Sequence, residues 1–212
     1  MLSFGKYKNH DVSDIYLRDR SYLEWLVRQP WFKTKNKGIY ETVVDKLSTV
    51  TEPESCDDDA FVIYTDGACK HNGSNKQGVV KAGYGIHFSV RNIVKIPDVS
   101  ERLVKGQLTN NVAELVAIKV ALQRCIEYNI TGNIVLYTDS GYAIKCITEW
   151  YPQWVSKNTL KDKKNIGLIR DIVGFIEKIN VKFHHIRAHT GLLDEHSLGN
   201  AKADELANDS LK

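Results

Sequence analysis

The segment FVIYTDGACKHNG, residues 61–73, joins an apolar run to an acid. Its opening apolar run predicts a buried β-strand, and the chain passes directly from that run into the acid Asp66. The same order recurs in IVLYTDS, residues 134–140, where Tyr-Thr again precedes an acid, Asp139. Two such strands predict two carboxylates at one edge of a sheet, which is where open α/β sheets bind their ligands.

Composition indicates an ordinary globular protein. The 212 residues, of which 42% are hydrophobic, are enough for one sizeable core and a small companion. The net charge of +3 is too small to indicate a polyanionic partner by itself. Four widely spaced cysteines form no CxxC pair, which argues against a disulfide framework or a structural zinc. The chain shows neither a signal peptide nor a membrane span, so we expect a protein that is cytoplasmic, or nuclear in a eukaryote, and not secreted. A monomer is the default expectation.

The segment TEPESCDDDAF marks the predicted domain boundary, because a proline and five acids interrupt the apolar periodicity. We predict a small, mainly helical module over 1–50, an acidic linker over 51–59 and a larger domain over 60–212. The larger domain is basic, with 20 Lys and Arg against 15 Asp and Glu.

The pattern in the larger domain alternates between strands and helices. Three strands, the third near Glu101 to Gly106, precede a helix over Asn111 to Tyr128, and IVLYTDS is the fourth strand. Further helices, the strand VKFHHIRAH and a terminal helix in NAKADELANDSL complete the order. We therefore predict an α/β fold with a mixed five-stranded sheet, in the order βββαβαβα, flanked by helices.

Two further acids lie at positions expected to face a core. Glu114 falls one turn into its helix, and Asp204 is predicted near the start of the terminal helix. Each acid alone is compatible with a turn or with the first turn of a helix. Four like charges at one sheet edge, however, repel each other unless a cation neutralises them, and Mg²⁺ is the natural hard ion for oxygen ligands.

The segments YTDGAC, TNNVAEL, YTDSGYA and HTG followed by GNAKADELA resemble the ordered signature of type 1 ribonuclease H. The resemblance covers essentially all of residues 60–212, and four motifs in order are far more specific than one. It implies an endonuclease that hydrolyses the RNA strand of RNA–DNA hybrids and leaves 5′-phosphate and 3′-hydroxyl ends.

The resemblance implies a catalytic set of four carboxylates that hold two Mg²⁺ ions, for which Mn²⁺ may substitute. His189 in RAHTG matches an auxiliary histidine of the family, whose near-neutral pKa suits proton transfer or product release. The nearby histidines at 184, 185 and 196 are interpreted as ordinary strand or loop residues. The matching carboxylates, all of them predicted metal ligands, are Asp66, Glu114, Asp139 and Asp204.

The resemblance also places both strands of a bound hybrid. Amide side chains suit contacts to RNA 2′-hydroxyls, although one asparagine of the TNN motif is equally well explained as a helix cap. The lysines of the segment WYPQWVSKNTLKDKKN are available for phosphates, with a solvated loop as the alternative. The matching residues are Cys69, Asn72, Asn110 and Asn111 for the RNA strand, and Thr109, Tyr142, Trp154 and Asn165 for the DNA strand.

Three positions depart from the family pattern. Gln107 stands where an arginine commonly precedes TNN, which predicts weaker affinity for the DNA strand. Ala201 replaces the usual acid after the last asparagine, and the segment HTGLLDEHSLGN is longer than the common histidine loop. Both changes affect the expected motion of the loop that carries His189, and with it the contribution of His189 to catalysis.

The amino-terminal FGKYKNHDVSDI and YLEWLVRQ resemble a small module appended to certain exonucleases. Its lysines at 33, 35 and 37 form either an auxiliary nucleic-acid contact or a solvated loop, and the loop is favoured. Two alternatives to hybrid cleavage stay open for the whole chain: another nuclease or polynucleotidyl transferase on the same fold, and a non-catalytic nucleic-acid-binding module.

Overall fold

A computed structural model describes residues 2, 4–48, 60–71, 79–187 and 194–212. The chain forms two compact units, Met1–Cys56 and Asp57–Lys212. The predicted linker over 51–59 lies outside the described residues, as do Asn72 and His189. No helix in the described ranges is long and apolar enough to cross a membrane.

The first unit is helical, as predicted. Asp11 caps its first helix by accepting a hydrogen bond from the backbone N–H of Ser13. Leu23, Leu26 and Phe32 are fully buried in a small core. Lys33 and Lys35 lie within a helix, so the favoured interpretation of this segment as a loop is wrong. The helices are α1 (Val12–Val27), α2 (Pro30–Lys35) and α3 (Lys37–Ser48).

The second unit contains the predicted mixed five-stranded sheet, with strand order β3-β2-β1-β4-β5. The β1–β2 and β2–β3 pairs are antiparallel, whereas β4 pairs in parallel with both β1 and β5. The third strand starts two residues before the predicted Glu101 and ends at Leu103. The strands are β1 (Phe61–Lys70), β2 (Lys81–Phe88), β3 (Val99–Leu103), β4 (Ile134–Thr138) and β5 (Val181–His185).

Helices cover both faces of this sheet. Ile63 and Leu136 belong to the main core with α4 and α7, while Val62 and Val135 belong to a smaller core with Ala203 of α8. Burial on both faces explains why β1 and β4 are apolar without alternation. The helices are α4 (Asn110–Glu127), α5 (Gly141–Lys145), a π-helical segment (Cys146–Trp150), α6 (Tyr151–Ser156), α7 (Ile166–Ile176) and α8 (Glu195–Asp209).

Asp66 lies inside β1 and not at its end, which corrects the prediction. The antiparallel pairing with β2 continues as far as Lys70. The parallel pairing with β4, in contrast, stops at Thr65 opposite Thr138. Asp66 directly follows Thr65, and Asp139 directly follows Thr138. The two carboxylates therefore lie near each other as predicted, although only β4 ends at this point and β1 continues.

Asp204 lies deep in α8 and not near its start. Asp194 caps this helix by accepting a hydrogen bond at 3.0 Å from the backbone N–H of Ser197. The helix therefore starts at Glu195, and Asp204 is its tenth residue. The helix was predicted from the apolar residues Ala203, Leu206 and Ala207. Its cap, Asp194, precedes these residues by several positions, so the predicted start of the helix was too late.

Gly67 allows α4 to lie directly on β1. A Cβ atom at this position would overlap the backbone nitrogen of Glu114 and come within 2.7 Å of the carbonyl carbon of Ala113. Both neighbours are backbone atoms of a buried helix, which has little room to move. The glycine therefore fixes the distance between the strand of Asp66 and the helix of Glu114.

We expect Gly67→Ala to lower the free energy of unfolding by about 1–3 kcal/mol, the usual cost of inserting volume into a packed core. Chemical denaturation measures the change. Gly174→Ala in α7 is the matched control, because nothing lies within 4 Å of its Cβ position. The control should stabilise the protein by about 0.5–1 kcal/mol, and equal behaviour of the two variants would contradict the packing argument.

Candidate metal and nucleic-acid site

Three carboxylates from three different elements converge where the β1–β4 pairing ends. Asp66 comes from β1, Glu114 from α4, and Asp139 directly follows β4. One oxygen from each lies within 4.8 Å of the others. Asp66 and Glu114 are only 7% and 4% exposed, so these charges are held close together with little access to water. The geometry is that of a cation site.

The electrostatics of the cluster oppose the ionised forms. Burial, together with the negative charges of Asp139 and Asp204, raises the pKa of Asp66 to about 8. Burial also raises the pKa of Glu114 well above its ordinary value, again with a contribution from its acidic neighbours. The backbone N–H of Gly67 donates to Asp66 Oδ1 at 2.8 Å and acts in the opposite direction.

Asp204 approaches the cluster from α8. Its negative charge contributes to the raised pKa of Asp66, and Asn208 Nδ2 donates to its Oδ1 at 2.9 Å. An open cleft of about 500 Å³ contains all four predicted carboxylates. Other predicted site residues that line this cleft are Cys69, Asn110 and Tyr142.

Two of the residues predicted for the RNA strand lie at the start of α4. Asn110 and Asn111 are both exposed, and the Asn110 amide points to Glu114 Oε1 at 3.5 Å. Thr109 is the helix cap, since its hydroxyl accepts from the backbone N–H of Val112. The interpretation of an asparagine of this motif as the cap is therefore wrong. The Cys69 thiol donates to the carbonyl of Leu108 and ties β1 to this region.

Three of the residues predicted for the DNA strand, Tyr142, Trp154 and Asn165, belong to one connected group with Trp150, whereas Thr109 lies at the start of α4. Tyr142 meets Trp150 at a ring-centroid distance of 6.0 Å, and Trp150 meets Trp154 at 6.2 Å. Asn165 donates to the Tyr142 hydroxyl at 3.0 Å, and Lys163 Nζ lies 5.3 Å from the Trp154 ring centroid. The group thus carries a cation beside an aromatic surface.

The π-helical segment brings these rings to one side. Tyr142 and Trp150 are eight residues apart, whereas two turns of an α-helix take about seven. A π-helical turn accommodates one extra residue, and such turns are frequent at functional sites. The wider π-helical turn thus accommodates the additional residue, and the rings of Tyr142 and Trp150 stay on the same side of the helix, in contact with each other.

Sequence reasoning missed contacts that support the carboxylates. His185 Nε2 lies 3.1 Å from the carbonyl oxygen of Asp139, a contact that depends on strand register and leaves no trace in the sequence. Asn208 lies four residues after Asp204, so helical spacing offered a signal for it. His196 lies in α8, not in a strand or loop, and its ring contacts the hydroxyls of Tyr64 and Tyr137 at 3.0 and 3.3 Å.

Two of the three departures from the expected pattern lie at exposed positions. Gln107 lies on the surface before α4, and Ala201 on the exposed side of α8. The second half of HTGLLDEHSLGN belongs to α8, so it is helix and not loop.

Comparison with known proteins places this chain in a family. The family model for RNase H matches residues 58–212, and the model for the exodeoxyribonuclease X-like C-terminal region matches residues 2–29. Ribonuclease H of Schizosaccharomyces pombe is 36% identical over 157 residues, which are 70% of this chain and 52% of that protein. Ribonuclease H of Orientia tsutsugamushi is 34% identical over 152 residues, 68% of this chain and 78% of that protein. The matched region thus spans only about half the length of the first of these relatives.

The solved structures agree with the sequence comparison. A foamy viral protease-reverse transcriptase in complex with RNA/DNA hybrid is 25% identical, with a TM-score of 0.57, over 76% of this chain and 22% of that one. The family model covers the sheet, the helices on both faces and all four predicted carboxylates. By sequence and by fold, this chain belongs to the ribonuclease H family.

Proposed function

We propose that this protein is an endonuclease that hydrolyses the RNA strand of RNA–DNA hybrids and leaves 5′-phosphate and 3′-hydroxyl ends. The observation that carries the proposal is the group of three carboxylates, two of them buried and one half-buried, whose oxygens lie within 4.8 Å of one another. The foamy viral relative was solved with an RNA/DNA hybrid, which supports the choice of substrate.

The residues present fit a divalent metal. The donors are all carboxylate oxygens, the type that Mg²⁺ prefers, and Mn²⁺ accepts the same donors. Glu114 Oε2 is buried and finds no hydrogen-bond partner among the described residues, as expected for an atom reserved for a cation. We assign two Mg²⁺ ions to Asp66, Glu114, Asp139 and Asp204. When bound, such a pair supplies a water-derived nucleophile and stabilises the leaving 3′ oxygen.

The protein's own residues position the substrate and the ligands. The Gly67 N–H fixes the Asp66 carboxylate, and Asn208 fixes that of Asp204. We assign RNA recognition to Asn110 and Asn111, together with Asn72 and backbone groups near Cys69, because amides both donate to and accept from a 2′-hydroxyl.

We assign the DNA strand to the aromatic group and its surroundings. Tyr142 and Trp154 offer ring faces to the sugar and base surface, while Thr109 and Asn165 offer polar atoms to a phosphate. Lys163 beside Trp154 adds a cation for the phosphate backbone. His189 is proposed as an auxiliary group for proton transfer or product release.

We also propose that residues 1–50 form a module related to the exonuclease-appended region, joined to the catalytic domain by the acidic segment 51–59. The match over residues 2–29 and the helices α1–α3 support this proposal.

Cleavage of a hybrid tests the proposed function directly. With Mg²⁺ the protein should cut the RNA strand of a labelled hybrid and spare duplex DNA, as resolved on a denaturing gel. Asp66→Asn and Asp139→Asn should each lower the rate at least about 100-fold, since losing a ligand costs more than losing an outer-shell partner. Asp209→Asn, on the exposed end of the helix that carries Asp204, is the matched control and should cut normally. Equal cleavage of duplex DNA would favour another nuclease, and binding without cleavage a non-catalytic module.

The raised pKa of Asp66 predicts a pH-dependent stability without divalent ions. Its ordinary pKa is 3.8 and its pKa in the folded protein is about 8, so the folded state binds this proton more tightly. The contribution to stability is complete below about pH 4 and is lost as the pH rises through about 8. In EDTA, Asp66→Asn should therefore melt a few degrees above the wild type at pH 8, with a smaller difference at pH 5.

Mg²⁺ should remove that difference by stabilising the wild type and not Asp66→Asn. Thermal unfolding followed by circular dichroism measures both effects. A difference between the two proteins that is constant with pH would contradict the assigned cause, and Asp209→Asn again serves as the control.

The DNA-strand assignment predicts a binding defect at the aromatic group. Trp154→Ala should raise KM for the hybrid about tenfold, equivalent to about 1.4 kcal/mol, with kcat nearly unchanged, because a ring that contacts the sugar–phosphate backbone of the DNA strand acts on binding before the chemical step. Steady-state kinetics on a short hybrid separate the two constants. A loss confined to kcat would place Trp154 at the reacting phosphate instead.

A further inference from the structure

The amino-terminal unit has two exposed tryptophans that its own core does not explain. Trp25 is 51% exposed and Trp31 is 39% exposed, whereas the neighbouring Leu26 and Phe32 are fully buried. Single exposed aromatic residues are common on protein surfaces. Two in a unit of about 50 residues, each with a cation beside it, need a separate reason.

Each tryptophan has a basic neighbour at helical spacing. Arg28 follows Trp25 by three residues at the end of α1, and Lys35 follows Trp31 by four residues in α2. Residues three and four apart lie side by side on a helix. Both cations are exposed. Lys6, in contrast, already forms an ion pair with Asp19 at 2.9 Å.

The two tryptophans are linked through the loop that precedes α1. Phe4 contacts Trp31 at a ring-centroid distance of 5.2 Å. Tyr7, three residues along the same loop, contacts Tyr22 at 5.1 Å, and Tyr22 contacts Trp25 at 5.8 Å. Trp25 and Trp31 thus belong to two aromatic groups that the loop from Phe4 to Tyr7 joins. We call these residues together the Trp25–Trp31 surface and define it by the two tryptophans, Phe4, Tyr22 and the cations Arg28 and Lys35.

Hydrogen bonds hold the backbone and the loop next to these rings. Tyr7 donates to Asp19 at 2.9 Å, and the Gln29 amide donates to the backbone carbonyl of Trp25 at 3.1 Å. Tryptophan side chains, with only two rotatable bonds, lose little conformational entropy on binding. The local charge is also favourable to a polyanion, because residues 1–48 hold nine Lys and Arg against six Asp and Glu.

We propose that the Trp25–Trp31 surface binds single-stranded nucleic acid, with bases stacked on the two tryptophans and phosphates held by Arg28 and Lys35. Base stacking on aromatic side chains, combined with cations for the backbone, is the chemistry of proteins that bind single strands without sequence preference. A duplex offers base faces only at its ends, so the surface favours single strands over the blunt hybrid assigned to the catalytic site.

The binding is independent of the proposed cleavage and is tested without it. Fluorescence anisotropy in EDTA measures the Kd of the full chain for labelled oligo(dT) and oligo(U) of about 15 nucleotides, a length within the usual range for such sites. Trp25→Ala and Trp31→Ala should each weaken binding about tenfold, equivalent to about 1.4 kcal/mol. Trp25→Phe should keep most of the affinity, because a phenyl ring still stacks.

Tyr128→Ala is the matched control, since it removes a 40% exposed aromatic residue from the other unit. It should leave oligonucleotide binding unchanged. Wild-type affinity in both tryptophan variants would overturn the proposal, as would an equal loss on a blunt RNA–DNA hybrid. A change in sedimentation without a change in oligonucleotide binding would also overturn it, because the surface would then be a contact between copies of the protein.

Discussion

The parallel pairing of β1 with β4 stops at Thr65 and Thr138, and the site depends on that termination. Beyond it, β1 continues to pair with β2 alone among the described strands, and the carboxylates at the next two positions, Asp66 and Asp139, come within 4.8 Å of each other. A strand held on one side by antiparallel hydrogen bonds remains rigid while its other side is open. The carboxylates are thereby fixed by a sheet instead of a loop, which is the arrangement that preorganises a metal site.

Without a bound cation, this arrangement of carboxylates lowers the stability of the folded protein. Buried carboxylates within 4.8 Å of each other repel, and the hydroxyl of Thr65, like Glu114 Oε2, has no hydrogen-bond partner in the described part of the chain. The sheet compensates because both of its faces are packed, with α4 on one side and α8 on the other. Such local loss of stability at a site, carried by a well-packed scaffold, is the usual relation between function and stability.

The sequence predicted those features that depend on local pattern. Apolar runs followed by acids located the strands of Asp66 and Asp139, and helical periodicity placed Glu114 correctly. The position of Asp204 within α8 was wrong, because the polar cap Asp194 lies far from the apolar residues that signalled the helix. The contact of His185 with Asp139 depends on the register between two strands, and the π-helical turn has no characteristic amino-acid pattern. Both result from tertiary packing, which cannot be predicted from the local pattern of a single sequence.

The π-helical segment Cys146–Trp150 has a consequence for how this family diverges. Because it absorbs one residue, the alignment of Tyr142 with Trp150 depends on helix winding as much as on residue identity. A relative that winds this segment as plain α-helix keeps the two rings on the same side only with one residue fewer between them. The effect of an insertion or deletion in this segment on the contact between the two rings therefore depends on whether the segment is π-helical or α-helical. A comparison of the aromatic positions between relatives has to take the helix type of each relative into account.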